Sequence, residues 1–318
     1  MQQGLLPANA PYDLAEVRRN CMKTTVITSR RLDEDLKTKV VLASETFQHT
    51  GSFKFRAAFG AALHSSAGHL LAASSGNFGQ ALACAAAMLG KKCSIVMPEA
   101  AAATKKEAVL HYGANLHLVD TTRETRKAAV ERLAAQIEDV EVLSAYDDER
   151  VIMGNSTLGE EIAKIADIDC VIVPVGGGGL ISGIIEGLGR QGRELPVWGA
   201  EPKLANDGAR SLSAGALLAN QFEPATIADG ARTLSLGMKN FAIIKEKAAG
   251  ILEAEEESIA LALVKLFHLA NLKVEPTGAL ALAALLDHGD KLVGQRPLLV
   301  LSGGNVDPAN YSRLISGC

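Results

Sequence analysis

The sequence has 318 residues, of which 48% are hydrophobic and 21% are charged, enough for one large domain or two domains of ordinary size. A formal net charge of −4 and an aromatic content of 4% argue against nucleic acid or anionic lipid as a partner. The 5 cysteines include no Cys-x-x-Cys pair, which disfavours a disulfide framework or a zinc site and favours a reducing compartment.

No apolar run reaches membrane-spanning length, and residues 1–12 lack the basic and apolar segments of a signal peptide. We therefore expect a soluble, cytoplasmic protein without a membrane partner.

Hydrophobic patterning predicts strands that alternate with helices along the whole chain. The predicted strands are 40–43, 69–73, 94–97, 116–119, 142–145, 170–175, 196–200 and 297–301. The predicted helices are 13–22, 55–63, 81–89, 104–112, 123–137, 150–165, a helix that begins at residue 180, 255–272 and 277–288. This alternation indicates the α/β class with parallel sheets.

Lys54 is the first candidate for chemistry, because it lies between two phenylalanines, Phe53 and Phe55. Burial disfavours the charged form of lysine. A desolvated, neutral amine is a nucleophile of the type that forms a Schiff base with an aldehyde. The alternative is a surface lysine at the start of a helix, with both phenylalanines turned inward.

A run of consecutive glycines, Gly176, Gly177, Gly178 and Gly179, follows an apolar strand and precedes a helix. Backbone N–H groups in such a turn can point at one anion, and the helix N-terminus adds partial positive charge. We expect a phosphate group there. The spacing matches neither Gly-x-Gly-x-x-Gly nor a Walker loop, which disfavours dinucleotides and nucleoside triphosphates. The alternative is a flexible turn.

Two other polar, glycine-containing turns also end predicted strands: Ser74-Ser75-Gly76-Asn77 and Ser302-Gly303-Gly304-Asn305. By itself, the first is more typical of an ordinary helix N-cap than of a binding site. Ligands of open α/β sheets bind beyond the carboxyl ends of strands. The three turns and Lys54 therefore predict one shared site.

Together these four stretches resemble the signatures of fold type II pyridoxal-phosphate enzymes, and within them the serine/threonine dehydratase (threonine ammonia-lyase) and serine racemase branch. The stretches 201–202, 226–230 and 275–277 add to the resemblance, which extends over about 11–307. It implies a two-domain, three-layer αβα fold of the tryptophan synthase β-like class. The expected domains are a large cofactor-binding domain of residues 1–67 and 147–318 and a small domain of residues 68–146, with the active site between them.

The resemblance also implies roles for individual residues. Lys54 would carry pyridoxal 5'-phosphate and move the Cα proton of the substrate, and Ser75 would act as acid or base on the opposite face. The implied cofactor-binding residues are Phe53, Lys54, Asn77, Gly176, Gly177, Gly178, Gly179, Leu180 and Ser302. The implied substrate-binding residues are Ser74, Ser75, Gly76, Asn77 and Phe78.

The implied activity is an ammonia-lyase (dehydratase) that converts a β-hydroxy amino acid such as L-threonine or L-serine into a 2-oxo acid and ammonia by α,β-elimination. The alternatives are a serine racemase, a dehydratase of 3-hydroxyaspartate or phenylserine, a β-replacement synthase and a non-catalytic ligand-binding protein. The expected partners are a small amino-acid substrate and a second copy in a homodimer.

Phe78 departs from the family pattern, because members usually have histidine there, and Ala73 stands where racemases often have histidine. Both positions lie beside the expected site of the substrate carboxylate. From Phe78 we expect a bulkier or apolar β-substituent to be tolerated.

Glu201, Ala205 and Asp207 match, at the same spacing, a divalent-cation site of serine racemases that consists of two carboxylates and one backbone carbonyl. Such oxygen ligands suit Mg²⁺, Ca²⁺ or Mn²⁺. The alternative is a pair of solvated surface acids.

Overall fold

A computed structural model describes residues 12–317. The predictions made for the N-terminal segment before Tyr12 and for Cys318 lie outside the described residues. The other four cysteines are free and buried. No helix in residues 12–317 combines the length and apolar character needed to cross a membrane.

Ten strands in the described range form two sheets, and all but one of the neighbouring pairs are parallel. The strands are β1 Thr25–Ile27, β2 Val41–Ser44, β3 His69–Ala73, β4 Lys92–Pro98, β5 Asn115–Val119, β6 Val140–Val142, β7 Cys170–Pro174, β8 Val197–Pro202, β9 Gly250–Ala254 and β10 Pro297–Leu301. One sheet has the order β1-β2-β10-β7-β8-β9 and the other the order β5-β4-β3-β6. Only β1 runs antiparallel, against β2.

Helices connect nearly all of these strands, as parallel pairing requires. They are α1 Leu14–Asn20, α2 Arg30–Leu36, α3 Lys54–Leu63, α4 Asn77–Met88, α5 Ala103–His111, α6 Arg126–Ala134, α7 Glu149–Ile162, α8 Gly179–Arg190, α9 Asp207–Ala214, α10 Met238–Lys247, α11 Glu256–Ala270, α12 Pro276–His288 and α13 Pro308–Ser316. Short 3-10 turns span Lys203–Ala205, Asp229–Ala231 and Gly289–Leu292.

The six-stranded sheet is covered on both faces, which confirms the predicted three-layer α/β fold. Successive residues of β10 show this, because Leu299 and Leu301 pack with α11 and α12, whereas Leu298 and Val300 pack with α7 and α8. A strand that is buried on both faces has a continuous apolar sequence, and this pattern allowed β7 and β10 to be predicted.

The two sheets arise from different parts of the chain. All strands of the four-stranded sheet lie between residues 69 and 142, and those of the six-stranded sheet lie before and after. The domain limits at 67/68 and 146/147 stay a prediction.

Candidate active site

A cleft of about 550 Å³ lies beside the carboxyl ends of β3, β7 and β10. It is lined by every residue to which the sequence assigned a cofactor or substrate role. These are Phe53, Lys54, Ser74, Ser75, Gly76, Asn77, Phe78, Gly176, Gly177, Gly178, Gly179, Leu180 and Ser302. The predicted convergence of the four motifs on one site therefore holds in the structure.

Lys54 begins α3 and extends its amine into this cleft. The Nζ atom donates to the Ala145 carbonyl at 2.8 Å and lies 5.0 Å from the centre of the Phe53 ring. Burial lowers the pKa of the Lys54 amine to about 8, although the nearby Glu275 carboxylate acts in the opposite direction. A lysine with this pKa is neutral at pH 7 far more often than a solvated lysine. The amine is therefore prepared for nucleophilic attack.

The backbone that precedes Lys54 is tied to the turn after β10. Ser52 forms an antiparallel bridge with Gly303, Phe53 N donates to Ser302 O at 2.9 Å, and Gly304 N donates to Gly51 O at 2.9 Å. Ser302 is only 1% exposed, yet it lines the cleft. This pairing sets the positions of Lys54 and the Ser302 hydroxyl relative to each other.

The tetraglycine turn links β7 to α8 and lies against Tyr146. Gly178 has φ +87°, which favours glycine, and any Cβ on Gly177 would overlap the Tyr146 ring. Asn240 Nδ2 holds the turn by donating to Gly177 O at 2.7 Å. The first turn of α8 leaves its N–H groups without intrahelical acceptors, which is the condition for anion binding.

The turn after β3 is organised by its own side chains. Ser74 Oγ accepts from Gly79 N at 3.0 Å and Gly76 N at 3.3 Å, so this hydroxyl supports the start of α4. Ser75 keeps partial exposure to the cleft. Phe78 is 2% exposed and packs in the core with Phe55 and Leu82, and its ring centre is 5.8 Å from Lys54 Nζ. The ring that replaces the usual histidine is thus mainly core.

Asn77 is held by two residues from the far end of the chain. Its Nδ2 donates to Glu275 Oε1 at 2.8 Å, and its Oδ1 accepts from Asn305 Nδ2 at 2.9 Å. Burial raises the pKa of the Glu275 carboxyl to about 8. The sequence motifs contained both partners but did not assign either a role.

Several charged side chains line the same cleft and were missed in the sequence. One ion pair crosses it, from Lys105 on α5 to Asp229 at 2.8 Å. The other cations of the lining are Arg126, Arg232 and Lys273, and its other acids are Glu223, Glu275 and Asp307. No local signal identifies them, since isolated surface charges are common in any α/β sequence.

The predicted cation ligands lie outside this lining. Glu201 is the penultimate residue of β8, and its carboxylate lies on the first turn of α9, where Ala209 N donates to Oε1 at 2.6 Å. Burial raises the pKa of Glu201 to about 8 and that of Asp207 to about 6. Asp207 Oδ2 is buried without a hydrogen-bond partner among the described residues. The acids are therefore not solvated, and one oxygen is left for a further ligand. Within residues 12–317, no group of three or more His, Cys, Asp and Glu side chains could hold a metal ion.

Comparison with known families identifies the kind of site. Residues 17–303 match the family described as "Pyridoxal-phosphate dependent enzyme". This protein belongs to that family. Such enzymes need an amine for the cofactor aldehyde and donors for its phosphate, and the cleft contains the Lys54 amine and the N–H groups at the start of α8.

Several relatives align with this protein over almost its whole length. The L-threo-3-hydroxyaspartate ammonia-lyase of Saccharomyces cerevisiae is 37% identical over 300 residues, 93% of this chain and 91% of that protein. The serine racemase of Schizosaccharomyces pombe is 34% identical over 307 residues, 94% of each chain. The solved structure of the T.th. threonine deaminase matches with a TM-score of 0.87 at 39% identity, covering 93% of this chain and 98% of that one.

The cleft of this pyridoxal-phosphate enzyme fits its cofactor in detail. The Tyr146 ring leaves no room for a side chain at position 177, so a glycine is required there. Only backbone atoms can therefore contact a phosphate at that point. Ser302 contributes a buried neutral hydroxyl to the same lining. Such a hydroxyl can bond a ring nitrogen without enforcing its protonation.

Proposed function

We propose that the protein is an ammonia-lyase that converts a β-hydroxy amino acid into a 2-oxo acid and ammonia. The observation that carries this proposal is the Lys54 amine, whose pKa burial lowers to about 8, in the cleft of a pyridoxal-phosphate enzyme. Relatives named as ammonia-lyases and a threonine deaminase support the elimination reaction.

We assign the binding of the cofactor phosphate and of the cofactor ring to different motifs. Gly176, Gly177, Gly178, Gly179 and Leu180 hold the cofactor phosphate, while Phe53, Asn77 and Ser302 orient its ring. The bound cofactor supplies the electron sink that makes the substrate Cα–H acidic.

The remaining steps belong to side chains of this protein. Lys54 would hold the cofactor covalently through its amine and would act as the general base that removes the Cα proton of the substrate. The turn Ser74-Ser75-Gly76-Asn77, together with the neighbouring Phe78, receives the substrate carboxylate. Ser75 stands as the acid or base on the opposite face, which also keeps serine racemisation as a side activity.

A 3-hydroxyaspartate substrate is a second candidate, favoured by the cations that line the cleft. Lys105, Arg126, Arg232 and Lys273 belong to the lining, and Lys105 is already paired with Asp229. Arg126 makes no ion pair with the described residues, so its guanidinium is free to receive a second carboxylate in the two-pronged manner typical of arginine. Two relatives are named L-threo-3-hydroxyaspartate ammonia-lyase.

A substrate panel tests these proposals. The cofactor-loaded enzyme is incubated with L-serine, L-threonine, 3-hydroxyaspartate and phenylserine, and 2-oxo acid, ammonia and D-serine are measured, with and without sulfide. We expect equal amounts of 2-oxo acid and ammonia, none of it formed by Lys54→Ala. A β-replacement synthase would instead form a product only when sulfide is present and would release no ammonia without sulfide. Preference for serine or 3-hydroxyaspartate would exclude the tolerance of bulky substituents expected from Phe78.

The same panel separates the two substrate classes when it is repeated with Arg126→Gln. If Arg126 binds a second carboxylate, kcat/KM for 3-hydroxyaspartate falls about tenfold or more, as for a lost charged hydrogen bond, while that for serine is unchanged. Arg123→Gln is the matched control, because Arg123 lies near the same segment but outside the cleft lining. An equal loss for both substrates would assign Arg126 to the common α-carboxylate or to structure.

A divalent cation at Glu201, Ala205 and Asp207 is part of the proposal, with Mg²⁺, Ca²⁺ or Mn²⁺ as the candidates. The buried Asp207 oxygen without a partner supports it.

We also propose a cytoplasmic homodimer. The family resemblance supports the dimer, and free, buried cysteines are compatible with a reducing compartment.

A further inference from the structure

Glu275 is a buried carboxyl group that lines the cleft and has no role in the proposal above. It is the N-cap residue of α12, yet its side chain makes no capping hydrogen bond. The residue is 5% exposed, and its Oε1 accepts from Asn77 Nδ2 at 2.8 Å. Buried acids are rare unless a specific partner holds them. Here the partner is the residue proposed to meet the cofactor ring.

The orientation of the Asn77 amide is determined by a chain of hydrogen bonds. The Thr50 carbonyl accepts from Asn305 Nδ2 at 2.7 Å, which fixes the Asn305 amide. The same nitrogen donates to Asn77 Oδ1 at 2.9 Å, so the Asn77 nitrogen must face the other way, toward Glu275. Each link is specified by the previous one, starting from a backbone carbonyl that cannot flip.

Only one N–H of Asn77 remains after these contacts. A side-chain amide has two N–H donors and one carbonyl acceptor. Glu275 uses one donor and Asn305 satisfies the acceptor. Because Asn77 lines the cleft, the second donor is available to a ligand there.

The carboxyl group is also electrostatically linked to Lys54. Burial raises the pKa of Glu275, Asp229 raises it further, and Asn77, Lys105 and Lys273 oppose this. Glu275 in turn raises the pKa of Lys54. The groups that face it thus come from α3, α4, α5, the turn at Asp229 and the segment before α12. With a pKa of about 8, Glu275 is mainly neutral at pH 7 and adds a negative charge near Lys54 at higher pH.

We propose that Glu275 is a positioning residue that fixes the Asn77 amide so that its second N–H points at the cofactor ring. This inference rests on the proposed function, because it needs Asn77 at the ring. The cofactor contact made by Asn77 on α4 would then depend on two residues near the end of the chain, Glu275 and Asn305.

A double-mutant cycle on cofactor affinity tests this role. The dissociation constant of pyridoxal phosphate is measured by absorbance for the full chain, for Glu275→Leu, for Asn77→Ala and for the double variant. We expect Glu275→Leu to weaken binding about two- to tenfold, the range for one hydrogen bond, and to have no further effect when Asn77 is already alanine. Glu275→Gln should bind as the wild type does, because its amide oxygen still accepts from Asn77. Glu257→Gln, an exposed acid on α11, is the matched control.

Equal losses from Glu275→Leu with and without Asn77 would overturn the proposal, as would a loss in Glu275→Gln as large as that in Glu275→Leu. If the leucine variant does not fold, the cofactor affinity of the glutamine variant still tests the proposal. An affinity of Glu275→Gln for pyridoxal phosphate as low as that of Asn77→Ala would overturn the proposal. The pH titration of the lysine-bound cofactor absorbance separately reports the charge of Glu275. The wild type and Glu275→Gln should titrate alike below pH 7 and differ above about pH 8. The lysine-bound cofactor of the variant should lose its proton at a lower pH, because the variant lacks the nearby negative charge. Failure of Lys54→Ala to abolish that absorbance would instead contradict the proposed function.

Discussion

Lys54, which is partly buried, and Arg56, which is fully buried, are both cations near the start of α3, but their surroundings have opposite effects. Lys54 has a carbonyl and aromatic rings as close neighbours, so desolvation prevails and the pKa of its amine falls. Arg56 is 0% exposed and donates to Glu45 at 2.8 and 3.0 Å and to Glu161 at 2.8 and 3.2 Å. A guanidinium cannot lose its proton in a protein, so it must be paired. The reactive lysine is thus anchored by a neighbour that stays charged.

Removal of the Arg56 charge should therefore destabilise the fold strongly. In Arg56→Met, the carboxylate of Glu45 stays buried without its partner, and we expect the free energy of unfolding to fall by about 3–5 kcal/mol. Urea unfolding of the cofactor-free protein measures this. The control is Arg30→Met, whose ion pair with Glu34 is exposed on α2 and should contribute about 0.5 kcal/mol or less. A loss below about 1 kcal/mol for Arg56→Met would show that the two acids find other partners.

At the scale of helices and strands, the sequence predicted best where a buried strand meets a glycine-containing turn. The limits of β3 and β10 agree with the prediction, because an apolar run stops abruptly at Ala73 and at Leu301. Two strands, β1 and β9, and four helices, α2, α9, α10 and α13, were missed, because they are short or have little apolar character. The strand predicted at 142–145 is β6, Val140–Val142, which ends before the polar turn at Ser144.

The partners of the motifs were beyond sequence reasoning, for a physical reason. Asn77 and Glu275 are 198 positions apart, and Asn77 and Asn305 are 228 positions apart. A local pattern shows that a residue is polar and lies at a strand end, but a pairing between distant turns depends on how the sheets pack. The motif residues could therefore be assigned to one site, whereas Glu275 and the charged lining could not.

Cation binding at the junction of β8 and α9 is a prediction about these two elements. Glu201 lies near the end of β8 and Asp207 begins α9, so an ion between them would join the elements directly. Mg²⁺, Ca²⁺ or Mn²⁺ added to chelator-treated protein should stabilise it by about 2.7 kcal/mol at a concentration one hundred times the dissociation constant. Thermal unfolding measures this shift, and Asp207→Asn should abolish it while the exposed Asp290→Asn should not.

The pH dependence of that binding follows from the two carboxyl groups. Burial raises the pKa of Glu201 to about 8 and that of Asp207 to about 6, and both carboxyl groups must be deprotonated to bind the ion. Affinity should therefore increase from pH 6 to pH 8. An affinity that is constant over this range, or a thermal shift that survives Asp207→Asn, would place the ion elsewhere.

At the scale of the whole molecule, the cleft lies between the two sheets and is bridged by contacts that join them. Asn77 on α4 reaches Glu275 before α12, and Lys105 on α5 reaches Asp229 in the turn Asp229–Ala231. The first contact involves the buried Glu275 carboxyl group, whereas both members of the ion pair are partly exposed to solvent. Exposed pairs of this kind contribute about 0.2–1 kcal/mol and are screened by salt. The ion pair is thus suited to hold the cleft closed without preventing substrate entry.

Breaking the pair should weaken substrate binding by loosening this closure. We expect Lys105→Met and Asp229→Asn each to raise KM up to about fivefold at low salt, and the charge exchange Lys105→Asp with Asp229→Lys to restore it. Steady-state kinetics at low and high ionic strength measure this, and at high salt the wild type should approach the single variants. The two single changes also distinguish closure from direct recognition of a second carboxylate. If Lys105 bound the substrate itself, Asp229→Asn would free its amine and lower KM, and the charge exchange would not restore activity.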